Sequence, residues 1–119
     1  MSATITASVG GVTLPLLVTG YDTARQSRNI VHDLLSDDIA VILVPARPRS
    51  GTLELLYDDE TNARGALDLH GQASTFDLVS DERESVNMTY VVDGEVRLTL
   101  EDETRSLWLL AVGYQEVIL

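Results

Sequence analysis

Arg49-Ser50-Gly51-Thr52-Leu53-Glu54-Leu55-Leu56-Tyr57, followed by Asp58-Asp59-Glu60, is the stretch that decides the fold. Gly51 permits a backbone excursion that a side chain would resist, so the segment opens as a turn. Thr52 to Tyr57 has the length and bulk of a strand. The three acids after it put negative charge where a helix begins. From about Asp59 to His70 the spacing is helical: Ala63, Ala66, Leu67 and His70 share one face, and Gly71 is placed to cap the C-terminus. Gly65 weakens this helix by about 1 kcal/mol relative to Ala, so packing must hold it. One helix cannot build a bundle, and this one is expected to cover an edge or face of a sheet.

Toward the N-terminus, Thr4–Val9 and Val12–Val18 read as short strands around the turn signal Gly10-Gly11, with Pro15 making the second an edge or kinked strand. Gly20–Asn29 is polar and reads as an extended loop. Ile30 to Leu35 suits a strand, a helical turn being the alternative, and Ser36-Asp37-Asp38 ends it in a turn. Ile39–Val44 is apolar on both faces, which calls for a buried strand or one shared between subunits. Pro45 and Pro48 stop it.

Toward the C-terminus, Ser74–Ser80 alternates as a strand and Asp81-Glu82-Arg83-Glu84 is a charged loop. Val86, Met88, Tyr90 and Val92 alternate, as do Val96, Leu98 and Leu100, with Asp93-Gly94 between the two runs. That pattern predicts a hairpin with the three-residue loop Val92-Asp93-Gly94, pairing Tyr90 with Val96, Met88 with Leu98 and Val86 with Leu100. Glu101-Asp102-Glu103-Thr104 turns the chain into a last strand. Leu107–Val112 lacks a polar face, so it is expected at the centre of a sandwich or against another subunit. The sum is a single domain, 1–119, mainly β, a two-sheet sandwich or barrel with one short helix near residues 59–70.

A chain of 119 residues with 45% hydrophobic residues can bury a core unaided. Cysteine is absent, which excludes disulfides, a thiol nucleophile and a Cys-based zinc site. The N-terminal residues lack a signal peptide's basic and apolar regions, and no apolar run approaches the roughly 20 residues that span a bilayer. A soluble protein made in a cytoplasm, with no membrane partner, is expected. The net charge of −11 arises wholly after residue 50, and all eight basic residues are Arg. So acidic a half is either a solvated surface or one that repels a polyanion, as a conduit for sliding DNA requires. Direct nucleic-acid binding is not expected.

The candidates for chemistry are few. His32 and Asp33 are adjacent and would point to opposite faces of a strand, His70 ends the helix in a surface or half-buried place, and neither Ser27 nor Ser36 sits in a nucleophile elbow. The acid clusters at 58–60, 81–84 and 101–103 lack the spacing that wraps Ca²⁺. Neither an enzyme nor a cofactor nor a metal is expected. A pocketed hydrolase would need a nucleophile–base pair, and a monomeric β-sandwich adaptor for a peptide or carbohydrate would need a groove.

The order Val44-Pro45-Ala46-Arg47-Pro48, the strand and helix start after Arg49, and Trp108 through Tyr114-Gln115-Glu116-Val117 resembles small tail proteins of long-tailed bacteriophages. The resemblance runs from about Val18 to Val117 as an order of elements, and its nearest form is the minor or distal tail proteins of phages infecting actinobacteria. It implies a tail-tube fold, subunits closing into a ring, commonly a hexamer, and a place in the virion tail. DNA or the tape-measure protein would pass through the channel without specific binding. Neighbouring tube, tape-measure and baseplate or tip proteins would be the partners. The extra C-terminal domain of larger distal tail proteins has no counterpart before Leu119, so a repeating tube subunit or a minor ring near the tip is equally implied. Arg25, Arg28, Arg47 and Arg49 are the expected contacts between subunits or rings, the alternative being solvated loop arginines.

Overall fold

The computed structural model describes residues 2–101 and 105–118. The chain runs β1 (Ala3–Ala7), β2 (Val12–Thr13), β3 (Leu17–Ala24), β4 (Ile30–Asp33), β5 (Ile39–Ile42), β6 (Ser50–Tyr57), α1 (Glu60–His70), β7 (Phe76–Ser80), a 3-10 turn (Glu84–Val86), β8 (Met88–Leu100) and β9 (Trp108–Glu116). Seven strands form one antiparallel sheet in the order β2-β1-β7-β8-β9-β6-β3, and β4 and β5 pair only with each other. The mainly β, sandwich-like reading with one helix holds. Closure into a barrel does not: β2 and β3 end the sheet at opposite edges.

Register explains the core. Val96, Val112 and Leu53 stand side by side on β8, β9 and β6, as do Leu98, Leu110 and Leu55, then Leu100, Trp108 and Tyr57. Ile5, Leu78 and Met88 make the matching row across β1, β7 and β8. Leu53, Leu55, Leu110, Val112 and Ile5 are fully buried, each contributing about 1.5–3 kcal/mol by leaving water. Strand β9 is central, between β8 and β6, as its apolar run requires. The helix covers this face through Ala63, Ala66, Leu69 and His70. Leu69 is more deeply buried than Leu67, which is partly exposed at the margin. Asp59 caps the helix by accepting a hydrogen bond from the Thr61 N–H, and the Gly71 N–H closes the other end on the Leu67 and Asp68 carbonyls.

Three sequence expectations are corrected. No hairpin interrupts residues 88–100: β8 is a single strand that follows β9 throughout, and the expected Tyr90–Val96 pairing is absent. Val92 faces Tyr114 and Val96 faces Val112, leaving Asp93, Gly94 and Glu95 opposite Gly113 alone. The left-handed conformation at Gly94 (φ 92°) therefore makes a bulge within a strand. Gly113 is required opposite it, because any Cβ there would collide with the Asp93 carbonyl. Next, much of the polar run expected as a loop from Gly20 is edge strand β3, paired with β6 through a bulge between Val18 and Gly20. Third, Gly51 lies inside β6, with its excursion replaced by close approach: a Cβ would overlap the Asp22 carbonyl of β3. That carbonyl accepts a 2.9 Å hydrogen bond from the Tyr114 hydroxyl, which reaches it from β9 across β6. Residues 102–104 of the turn expected before the last strand lie outside the described residues.

Candidate assembly surface

The segment between β3 and β6 leaves the body as an arm. Its tip is the β4–β5 hairpin, in register Ile30–Ile42, Val31–Val41, His32–Ala40 and Asp33–Ile39. The Leu34 N–H donates to the Asp38 carbonyl at 2.8 Å, with Asp37 in the left-handed region at φ 65°. Cross-strand pairs share a face, so Ile30, Ile42 and Ala40 lie on one side and Val31, Val41 and Ile39 on the other. Neither side is covered: Ile42 is 53% exposed on the first, and Val31 60% and Ile39 61% on the second. Burial of Ile39–Val44 within its own chain is thereby overturned. The arm stretches the molecule to 63 Å by 34 Å by 27 Å, with a radius of gyration of 18.0 Å, against about 13–14 Å for a compact chain of this length.

The stem explains two of the four arginines singled out in the sequence. Pro45 and Pro48 lack N–H groups, so a full backbone ladder cannot form there. Side chains bridge the strands of the stem instead. The Arg25 Nε donates to the Arg47 carbonyl at 2.9 Å and its Nη2 to that of Ala46, while the Arg28 Nε donates to the Pro45 carbonyl at 2.7 Å. The Val44 N–H donates to the Asn29 side-chain oxygen and the Arg47 N–H to the Gln26 carbonyl, both within 2.9 Å. Arg47 itself is exposed.

Arg49 is elsewhere. At the base of β6 its guanidinium donates to the Tyr21 hydroxyl (2.9 Å), the Ser85 and Asn87 carbonyls (2.6 and 3.0 Å) and the Glu116 carboxylate (2.7 Å). It thus ties β3, β9 and the segment entering β8 to β6. The hydrogen bond from Arg49 holds the Glu116 carboxyl below the usual carboxylate range, and the same bond pushes the guanidinium's pKa further up. The four arginines therefore do not form one cluster: two brace the stem, one is exposed on it, and Arg49 knits the body.

Two stretches of long strand on the body have an open edge among the described residues, besides the two-residue edge strand β2. One is the outer side of β3. The other is the distal part of β8, because β7 pairs with β8 only over Met88–Tyr90. Edge strands with free N–H and C=O groups are templates for strand addition. On the body, the acids from Glu54 to Glu95 are all exposed.

Among the described residues the two histidines lie far from each other's surroundings, one on the arm and one in the body. His32 is exposed on the arm, paired across with Ala40. His70, expected in a surface or half-buried place, is instead buried at 3% exposure at the end of α1. Among the described residues no three His, Asp or Glu side chains converge as a metal site would need, and no helix is long and apolar enough to cross a membrane. The sequence signal for the arm was present in Ile39–Val44; the roles of Arg25, Arg28 and Arg49 had none, since each depends on partners brought in by the fold. No protein-family model and no curated protein matches this chain.

Proposed function

We propose that this chain is a non-enzymatic structural subunit of a bacteriophage tail that closes with copies of itself into a ring around the tail channel, near the tail tip. The observation that carries the proposal is the arm: a braced hairpin with two apolar faces and no cover. A lone two-stranded hairpin is marginally stable in water, and monomeric proteins seldom expose so continuous an apolar surface. Such an arm is built to be covered by another subunit. The open edges of β3 and β8 support the same reading, since different edges meeting head to tail give a heterologous contact, the kind that builds a ring when its rotation closes. The exposed acids of the body suit a channel that must not hold DNA.

Light scattering across concentration, at two salt levels, tests the proposal, with electron microscopy of the product. A closed oligomer with a central channel is the expected result, and replacing residues 30–43 by a short Gly-Ser link is expected to leave a folded monomer. A wild-type chain monomeric under all these conditions sinks the ring, and an armless variant that assembles equally well removes the arm as its interface.

A further inference from the structure

His70 is the only buried ionisable base among the described residues. Its Nδ1 lies 2.8 Å from the Ala66 carbonyl, which can only accept, so Nδ1 carries the proton of the neutral ring. Nε2, 2.8 Å from the hydroxyl of Tyr90 on β8, is then the acceptor and Tyr90 the donor. The imidazole stacks on Phe76 with centroids 4.7 Å apart, and Tyr90 packs on Phe76 at 5.5 Å. Tyr90 is fully buried. Both ring nitrogens and the tyrosine hydroxyl are satisfied in one protonation state only.

We infer that His70 is a proton-operated latch: protonation takes away the acceptor that holds the Tyr90 hydroxyl proton and releases the C-terminal end of α1 from the sheet. A second proton on Nε2 meets the Tyr90 hydroxyl proton. Tyr90 must then turn to accept, and its own proton is left in the core. Among the described residues no carboxylate is buried to compensate. The titratable groups facing this cluster are Tyr90 on β8, Tyr57 on β6, whose hydroxyl is bonded to Thr13 of β2 at 2.7 Å, and Tyr114 on β9, edge-on to Tyr90. The α1 acids Glu60 and Asp68 and the base Arg64 are exposed on the helix. The helix C-terminus and the Phe76 ring both favour a cation, but each is smaller than the lost hydration of a buried ion without a counter-ion. Burial accordingly pushes the His70 imidazole below its ordinary value. Below about pH 6.5 the released state binds the extra proton and the latched state does not, so latch stability falls with falling pH until the lowered folded value is passed.

Hydrogen exchange of the full chain at pH 7.5 and 5.0, corrected for intrinsic rates, reads this directly. Residues 60–70 are expected to lose at least tenfold in protection on acidification while β6 and β9 keep theirs, and His70→Gln is expected to abolish the difference. Equal wild-type protection at both pH values overturns the latch, as does an unchanged pH response in His70→Gln. Should that variant fail to fold, wild-type NMR decides. The His70 ring and the α1 amides must move in one transition; a ring that titrates with the amides unmoved refutes the coupling.

Discussion

Leu107–Val112 and Ile39–Val44 read alike as sequence, both short and apolar on both faces, yet the structure gives them opposite fates. The first enters β9, flanked by β8 and β6, with Leu110 and Val112 sealed between sheet and helix. The second enters β5, paired on one side only and bare on both faces. A two-faced apolar run states a demand for burial without naming the supplier. In the body the chain meets that demand itself; in the arm it does not, and the unmet demand is the argument for a partner copy.

Substitutions that separate the regions give the sharpest tests, beginning with the largest. Leu110→Ala in the body is expected to lower unfolding free energy by about 2–5 kcal/mol, measured by urea denaturation. A change below about 1 kcal/mol would mean that the body core is looser than its burial implies. Arg49→Met removes the tie across four segments and is expected to cost about 2–3 kcal/mol, as a charged hydrogen-bonding group would. The same pair sets a pH signature. Because the Glu116 carboxyl is depressed in the fold, its contribution is complete above the ordinary Glu value near pH 4.3 and is lost as pH falls through the lower folded value. Glu116→Gln should therefore flatten the acid limb of stability against pH, and an unaltered limb would remove Arg49–Glu116 from the account. The smallest effect is expected in the arm, where Ile39→Thr with Val41→Thr should shift monomer stability by about 0.5 kcal/mol or less while abolishing oligomer formation. A large loss of monomer stability from that pair would erase the contrast between the regions.

What could be read from the sequence was local. Strand β6, the acidic start of helix α1, the helix itself and the turn at Ser36-Asp37-Asp38 declare themselves through neighbouring residues. The misread elements depend on distant ones. Asp93-Gly94 carries a turn signal, and the chain does use the left-handed glycine, but β9 places Gly113 opposite it and converts a turn into a bulge. Strand β3 hides its pattern because a bulge after Val18 breaks the alternation and its outer edge has no sheet partner. The site divided the same way. An apolar arm could be suspected from Ile39–Val44, while the bracing by Arg25 and Arg28 and the knot at Arg49 rest on bonds to residues 17 to 67 positions away.

The stem has a mechanical consequence. A ladder of backbone bonds fixes the angle of a hairpin to its sheet, since tilting it strains every rung together. Here prolines remove rungs, and long guanidinium side chains reach over to the carbonyls of Pro45, Ala46 and Arg47. Arginine has five donors and several rotatable bonds, so its hold tolerates a change of angle that a ladder would resist. The molecule thus carries a compliant joint between a stiff body and an exposed apolar lever, and in the proposed ring such a joint would let one subunit shape fit neighbours set at slightly different pitch.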